Sequence, residues 1–228
     1  MANFNMSLLI FTQARLNSQR LPKKMVRSFA KRSLWDIACE KLSNLPFPKE
    51  QKWVSVYEPE LREIAEKYNL SIFDRSEASA NEDNKASLIW EICGLDFERY
   101  VMFNPCLPML EEETILGFIN FFKDHNYNSA FGVKVLKDYL FDKEGKLVHP
   151  PGTTFFNTKE FDTHPERQLY VAAHCLYAGQ CHDMINDVYM GDFTPNNPAL
   201  YPILNKRELF DVDDYEDFLI AEAVYECR

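Results

Sequence analysis

The chain has 228 residues, of which 46% are hydrophobic, and a formal net charge of -10 at pH 7. This length and composition suit a single globular domain over residues 1–228 with a core of its own. The chain has no apolar run of about 18 residues, which argues against a membrane span. The N-terminus also lacks the basic-then-apolar layout of a signal peptide, so we expect a cytoplasmic protein.

The first predicted element is a buried strand that leads into a basic loop. The strand is the apolar run Leu8–Phe11, and no acidic residue precedes Asp36. Because open α/β sheets bind ligands at the carboxyl ends of their strands, the loop predicts an anion site. A basic loop on an acidic chain suits a triphosphate and not a nucleic acid, although a solvated loop without a ligand is the alternative. The loop spans residues 14–24 and its cations are Arg15, Arg20, Lys23 and Lys24.

The residues of this loop resemble the signature of a known family. Residues 14–24 read A-R-x-x-S-x-R-L-P-x-K, which is similar to the motif of sugar-activating cytidylyltransferases. Those enzymes make CMP-sugars from CTP and acidic sugars such as sialic acid. Lys23 and Gln19 depart from the common pattern. The resemblance implies that Arg15 and Lys24 are catalytic, and that the nucleotide is bound by Ala14, Arg15, Asn17, Ser18, Arg20 and Lys24.

Helices and strands alternate regularly from the basic loop to about residue 111. Ser33 is expected to cap one helix and Pro59 to begin another, while the polar segment Asp74–Lys85 is expected to be a loop. This alternation predicts a three-layer α/β/α fold around a mainly parallel, Rossmann-like sheet. The resemblance implies the nucleotide-diphospho-sugar transferase (glycosyltransferase-A-like) type of that fold. The predicted elements are a helix with Leu34, Ile37, Ala38 and Leu42 on one face, strand Trp53–Tyr57, a helix from Pro59, strand Leu70–Phe73, a helix carrying Leu88, Ile89 and Ile92, strand Tyr100–Phe103 and a helix from about Glu111.

The segment from about residue 130 to 192 is predicted to be richer in strands and turns. Ala130–Val135 and Gly145–Val148 read as strands linked through a turn at residues 142–145, and Thr153–Asn157 as a further extended segment. In the sialic acid enzymes a comparable excursion reaches a second subunit. The resemblance therefore implies a homodimer that uses this segment.

A second candidate centre lies near the C-terminus. The alternation in Phe210–Asp213 favours a strand end with both aspartates on one face, and Asp214 is expected to cap the closing helix. Two such carboxylates suit Mg²⁺, but acidic residues also gather at helix N-termini for dipole reasons alone. The resemblance favours the metal, because the sialic acid enzymes carry an aspartate–apolar–aspartate motif here. It implies that Asp211 and Asp213 are catalytic metal ligands. The closing helix is expected to bury Phe218, Leu219 and Ala223.

Between these two centres the resemblance is weaker. Asn104 takes the position of a family glutamine and Arg75 that of a family arginine, so both are expected to bind the nucleotide. A surface arginine is the alternative at position 75. Arg167 and Gln168 correspond to residues that contact the sugar, which implies that they bind the substrate.

The predicted function is a nucleotidyltransferase that couples CTP to an acidic, sialic-acid-like nonulosonate and releases pyrophosphate. One alternative is a glycosyltransferase of similar fold that consumes a nucleotide-sugar. The other is a homologue that binds nucleotide without catalysis. Leu107 and Leu110 keep this last alternative open, because they replace a polar and a basic residue of the family.

Overall fold

The computed structural model describes residues 7–157 and 159–227. The longest helix in these ranges has 13 residues. No helix in these ranges is long and apolar enough to cross a membrane. The first half of the chain contains β1 (Leu8–Gln13), α1 (Leu34–Asn44), β2 (Lys52–Val56), α2 (Pro59–Ala65), β3 (Ser71–Asp74), α3 (Glu77–Asn81), α4 (Ala86–Ile89), β4 (Arg99–Phe103) and α5 (Glu112–Asp124). The second half contains β5 (Ala130–Leu136), β6 (Leu140–Phe141), β7 (Leu147–His149), α6 (Glu160–Thr163), β8 (Leu169–Gln180), α7 (Cys181–Ile185), β9 (Ala199–Pro202) and α8 (Tyr215–Glu226). Short 3-10 helices span Lys49–Gln51, Glu66–Tyr68, Glu91–Gly94, Pro165–Arg167 and Lys206–Leu209.

A seven-stranded sheet in the order β3-β2-β1-β4-β8-β5-β9 forms the centre of the molecule. Strands β3, β2, β1 and β4 are parallel to one another, and β9 is parallel to β5. Strand β8 is inserted antiparallel between β4 and β5. The prediction of a mainly parallel α/β sheet is therefore confirmed, with one long antiparallel strand at its middle.

The two faces of the sheet are covered by separate apolar clusters. On one face, helices α1, α2, α5 and α8 contribute Trp35, Leu61, Phe118 and Phe218 to the larger cluster. On the other face, the shorter segments around Trp90 and α7 pack against Phe11 and neighbouring side chains. Helices on both faces of the sheet make the three layers that the sequence predicts.

Capping residues define several helix ends as predicted. The Ser33 hydroxyl accepts a hydrogen bond from the Asp36 N–H at the start of α1, and Pro59 occupies the first turn of α2. Asp214 and Asp217 form a reciprocal capping box at the start of α8. Such caps satisfy N–H groups that have no partner inside the helix.

The prediction of one loop over residues 74–85 and one helix after it was wrong. Helix α3 lies inside the predicted loop, because the Ser76 hydroxyl caps it through the Ser79 N–H at 3.1 Å. The predicted helix stops at Ile89 and continues only as a 3-10 turn from Glu91. Trp90 lies between them, and its ring packs edge-on against Phe11 and Tyr100. Burial of that large ring outweighs the helical periodicity of its neighbours.

The middle of the chain differs from prediction in its strand pairing. β5 does not pair with the strand that follows the turn at residues 142–145; it pairs with β8 and β9. That turn instead closes a separate two-stranded sheet of β6 and β7. Residues 153–157 form no strand, although the sequence predicts an extended segment there. Strands β8 and β9 were not predicted. Of the predicted excursion, residues 137–157 and 159–168 lie outside the main sheet, as do residues 181–192 after β8.

The segment before the last helix is not a strand end as predicted. Residues 206–209 form a 3-10 turn, and the residues from Phe210 to Asp214 run without regular structure into α8. The Val212 N–H donates to the Cys106 carbonyl at 3.0 Å, which ties the segment to the loop after β4. Leu219 and Ala223 of α8 are exposed rather than buried; the buried residues of this helix are Phe218 and Ala221.

Candidate active site

The basic loop after β1 is held to the body of the protein by its apolar residues. Ala14, Leu21 and Met25 are at most 5% exposed and pack into the larger cluster. The Leu16 N–H donates to the Glu58 carboxylate at 2.7 Å. These anchors hold the polar residues of the loop at the carboxyl end of β1, as the sequence predicts.

A cavity of about 510 Å³ opens beside this loop. Its walls come from the loop, from the residues after β4 and from the segment around α3 and α4. Most of the residues that are predicted to bind the nucleotide line this cavity. They are Ala14, Arg15, Ser18, Arg20, Lys24, Arg75 and Asn104.

Two cations of the loop contact the predicted metal segment. Arg20 Nη2 lies 2.7 Å from Asp213 Oδ1, and Lys24 Nζ donates to the Val212 carbonyl at 2.7 Å. Lys24 Nζ is also 3.8 Å from Asp213 Oδ1. The two candidate centres of the sequence therefore form one charged cluster in the folded protein.

Arg15 and Asn17 contact a different wall of the cavity. The Arg15 guanidinium donates to the Ala80 carbonyl at 3.2 Å and forms an ion pair with Asp83. Asn17 Nδ2 donates to Asn81 Oδ1 at 3.0 Å. The segment after α3 thus supplies a counterion for Arg15, which is predicted to bind a phosphate. A bound phosphate would compete with Asp83 for Arg15.

Arg75 is a buried cation with no carboxylate partner among the described contacts. It is 5% exposed, and its Nε donates to Ser79 Oγ at 2.9 Å. Burial, and secondly the charge of Arg15, lower its pKa to about 10. The surface alternative for Arg75 is therefore wrong, and its charge lies in the wall of the cavity.

Asn104 joins three segments at the edge of the cavity. Its Nδ2 donates to the His174 carbonyl at 3.0 Å and lies 3.4 Å from Asp211 Oδ2. Its Oδ1 accepts from the Cys106 N–H at 2.9 Å. A side chain with all these partners is fixed in orientation, so Asn104 also fixes one carboxylate oxygen of Asp211.

The other carboxylate oxygen of Asp211 is buried without a hydrogen-bond partner. A buried carboxylate oxygen without a partner is costly when the group is ionised. Burial, and secondly the charge of Asp213, raise the pKa of Asp211 to about 6.

This raised pKa predicts that Asp211→Asn stabilises the ligand-free protein near neutral pH. Because the pKa is higher in the folded state, this group's contribution is most favourable below about pH 4 and is lost as the pH rises through about 6. We expect the variant to exceed wild type by about 2 kcal/mol in the free energy of unfolding at about pH 7.5. Denaturant unfolding in EDTA at about pH 4 and 7.5 measures the difference, which should nearly vanish at the lower pH. The same difference in the free energy of unfolding at both pH values would contradict the raised pKa of Asp211.

The chemistry of this carboxylate pair suits a hard divalent cation. Mg²⁺ is commonly held by one or two carboxylates together with phosphate oxygens, and Asp211 offers an oxygen with no other partner. Within residues 7–157 and 159–227, no three or more His, Cys, Asp or Glu side chains form a metal cluster. The chemistry of Asp211 and Asp213 fits the one or two carboxylates that such a cation takes from a protein.

Arg167 and Gln168 are not brought to this cavity. Arg167 Nη1 donates to the Glu160 carboxylate at 3.1 Å, and Gln168 Nε2 donates to the Phe161 carbonyl at 2.6 Å. Both contacts lie within the segment outside the main sheet. Their role in binding the sugar stays a prediction.

The two leucines that depart from the family pattern lie in the core. Leu107 and Leu110 are 1% and 0% exposed and belong to the larger apolar cluster. They therefore affect packing behind the cavity and do not line it.

A second, aromatic groove lies on the sheet beyond β4. Its volume is about 880 Å³, and its walls come from β5, the first half of β8, β9 and residues 189–198. None of the residues that line it is Lys, Arg, Asp or Glu. The bond between His174 and Asn104 joins this groove to the first cavity. The aromatic side chains that line the groove are Phe121, Tyr127, Phe131, Tyr170, His174, Tyr189 and Phe193.

Sequence reasoning missed Glu82 and Asp83 in the first cavity and His174 beside it. Asp83 lies 68 residues from Arg15, and no spacing rule connects them. The one available signal was Ser76, whose capping potential predicts a helix that carries this segment to the cavity.

Comparison with known proteins identifies the fold and the family signature. A model of the cytidylyltransferase family matches residues 9–151. No curated protein sequence is significantly similar to the chain.

Solved structures of three nucleotide-dependent enzymes share the fold. CMP:2-keto-3-deoxy-manno-octonic acid synthetase in complex with CTP has a TM-score of 0.65 at 11% identity, over 97% of this chain and 99% of that one. A cytidylyltransferase from Leptospira borgpetersenii serovar Hardjo-bovis has a TM-score of 0.62 at 14% identity, over 98% and 88%. The 4-diphosphocytidyl-2C-methyl-D-erythritol synthase of Anaerococcus prevotii has a TM-score of 0.65 at 14% identity, over 96% of both chains. At such identities the likeness is one of fold.

Proposed function

Because the chain belongs to the cytidylyltransferase family, we propose that it couples CTP to an acidic sugar of the sialic-acid-like nonulosonate class and releases pyrophosphate. The observation that carries this proposal is the contact of the basic loop with the carboxylate segment, in which Arg20 lies 2.7 Å from Asp213. Cations that line the cavity thus contact a segment whose carboxylates suit the metal of a triphosphate. Use of CTP and the free cysteines of the chain support a cytoplasmic location.

The loop residues would bind the triphosphate through charge and hydrogen bonds. Arg20 and Lys24 would contact phosphate oxygens, and Ser18 would donate its hydroxyl. Arg15 would exchange the Asp83 carboxylate for a phosphate. Transfer of a nucleotidyl group depends on alignment and charge neutralisation more than on covalent help from the protein, so these contacts would supply much of the catalysis.

Asp211 and Asp213 would hold Mg²⁺ against the phosphates. When bound, Mg²⁺ neutralises phosphate charge and lowers the proton affinity of an attacking hydroxyl. Asn104 would keep Asp211 in place, since it bonds both that carboxylate and the His174 carbonyl.

The acceptor sugar would approach from the side of the aromatic groove. The basic loop occupies one side of the nucleotide cavity, and in-line attack on the α-phosphate needs the hydroxyl on the side opposite the leaving pyrophosphate. Asn104 and His174 lie at the junction of the two cavities. Because no Lys or Arg lines the groove, the sugar carboxylate would point back toward the loop cations, with Arg167 and Gln168 as further predicted contacts.

We expect CTP to stabilise the protein more than the other nucleoside triphosphates. Thermal shift with each triphosphate and Mg²⁺ measures this, and binding at a hundredfold excess over Kd stabilises by roughly 2.7 kcal/mol. Equal shifts with ATP and CTP would contradict the cytidylyl assignment.

Pyrophosphate release tests the whole reaction against its alternatives. A panel of acidic sugars with each triphosphate should give release only with CTP and a subset of the sugars. Binding of CTP without turnover would favour the non-catalytic homologue. Hydrolysis or transfer of a nucleotide-sugar, with no use of CTP, would favour the glycosyltransferase.

A homodimer completes the proposal, with residues 1–228 as one cytidylyltransferase-like domain and the 130–192 segment at the interface. Phe155 and Phe156 are 69% and 66% exposed in the single chain, as is typical of side chains that become buried on association. We expect light scattering at micromolar concentration to give twice the 26.7 kDa chain mass. A monomer mass at that concentration would contradict the dimer.

A further inference from the structure

His174 lies at the junction of the nucleotide cavity and the aromatic groove. Its carbonyl accepts a hydrogen bond from Asn104 Nδ2 at 3.0 Å, and its exposed side chain lines the groove. One residue therefore contacts a wall of both cavities. If the acceptor sugar enters from the groove, as proposed above, its hydroxyl would come close to this residue.

The backbone of His174 has an unusual conformation for a strand. Its φ is 51°, and it is the one residue with positive φ in the strands that the structure describes. The strand is irregular here, because the register between β5 and β8 shifts between Phe131 and Val133. Left-handed conformations of non-glycine residues persist where the surrounding structure holds them, and they are enriched at active sites. The irregularity turns the His174 carbonyl to Asn104 and the imidazole to the groove.

The one hydrogen-bond contact described for the imidazole is at Nδ1, which lies 3.4 Å from the Tyr177 hydroxyl oxygen. In the tautomer that carries its proton on Nδ1, this nitrogen donates to the Tyr177 oxygen. That tautomer leaves a lone pair on Nε2.

We propose that His174 is the general base that takes the proton from the acceptor hydroxyl. This inference rests on the proposed cytidylyl transfer. Nε2 accepts the hydroxyl proton as the hydroxyl oxygen bonds to the α-phosphorus of CTP. The bond from that phosphorus to the bridging oxygen breaks, and its electron pair leaves with pyrophosphate. The proton then passes from the imidazolium to solvent, so the reaction needs no further reactant.

The groups around the imidazole are compatible with this role. Tyr170 and Tyr189 line the same groove, and Tyr177 contacts the imidazole. Burial raises the pKa of Tyr177 far above its usual value and that of Tyr189 to about 12. Both are therefore neutral at neutral pH. The carboxylate of Asp211 lies behind Asn104, and no Lys, Arg or Glu lines the groove.

Two substitutions distinguish the role of the His174 imidazole from that of the His174 backbone. His174→Asn keeps a residue type that tolerates the left-handed conformation, and His174→Gly removes the strain of that conformation. Both retain the carbonyl that bonds Asn104. His182→Asn, at an exposed histidine in α7, is the matched control.

We expect both His174 variants to lower kcat for pyrophosphate release by about a hundredfold while CTP affinity stays at the wild-type value. The acidic limb of the kcat–pH profile should disappear, and added imidazole should restore part of the activity of His174→Gly. Turnover within about threefold of wild type in His174→Gly would overturn the proposal. So would a loss that leaves the acidic limb unchanged and does not respond to imidazole. Wild-type protein that turns over none of the acidic sugars would overturn the proposed function, and the base role with it.

Discussion

Asp211→Asn is expected to lower turnover by about a hundredfold or more at saturating Mg²⁺, which corresponds to some 2.7 kcal/mol of transition-state stabilisation. The substitution keeps the shape of the side chain and its bond to Asn104, but removes one of the two carboxylate charges from the proposed metal site. Nucleotide binding without metal should persist, because the loop cations are unchanged. Steady-state pyrophosphate release measures turnover. Titration of CTP in EDTA and in Mg²⁺ measures nucleotide binding without and with the metal.

The neighbouring Asp214 supplies the control for this experiment. Its side chain caps α8, and Asn caps a helix about as well as Asp. Asp214→Asn should therefore be nearly neutral for turnover and stability. Wild-type turnover in a folded Asp211→Asn variant would remove the metal role of that residue. Equal losses in both variants would point to a general effect of acidic charge at this end of the protein.

Lys24→Ala is expected to weaken CTP binding by tenfold or more, whether or not Mg²⁺ is present. The side chain is only 12% exposed, so its charge acts on the phosphates with little screening by solvent. Its Nζ also donates to the Val212 carbonyl, and loss of a partner for a buried group costs about 1 to 3 kcal/mol of stability. Calorimetric titration of CTP, with thermal unfolding of the ligand-free protein, measures the two effects separately.

Lys23→Ala is the matched control for Lys24. The two residues are adjacent, but Lys23 is 66% exposed and its partner is Glu60, at 3.6 Å. A surface pair of this kind contributes little, so its loss should leave CTP affinity within about twofold. If Lys23→Ala and Lys24→Ala weakened binding equally, the loop would act only through its total charge.

Contiguous parts of the fold and site were predictable from sequence. The basic loop depends on residues 14–24 and on the strand before them, and Ser33 and Asp214 define helix starts by local hydrogen bonds. The contact of Arg15 with Asp83 was not predictable, because it depends on how segments far apart in sequence meet. Such partners follow from strand order, which local periodicity does not determine.

Strand β8 shows the same limit for secondary structure. Its sequence, LYVAAHCLYAGQ, contains alanine and glycine where strand propensity is low. It is a strand because β4 and β5 lie on either side of it and bond both its edges. Helical periodicity after residue 85 failed for a similar reason, since Trp90 is held in an aromatic cluster that only the folded chain creates.

The contacts between the basic loop and the carboxylate segment also determine when the site can form during synthesis. Arg20 and Asp213 are 193 residues apart, and Lys24 and Val212 are 188 apart. At ribosomal speeds of about 5–20 residues per second, the loop therefore exists for roughly 10 to 40 seconds before its partners are made. A nascent chain could complete the parallel half of the sheet in that interval, but Arg20 and Lys24 would still lack the carboxylate segment opposite them. Competence to bind the metal–nucleotide complex is thus a late, high-contact-order event, and ribosome-stalled chains that end before residue 211 should lack it.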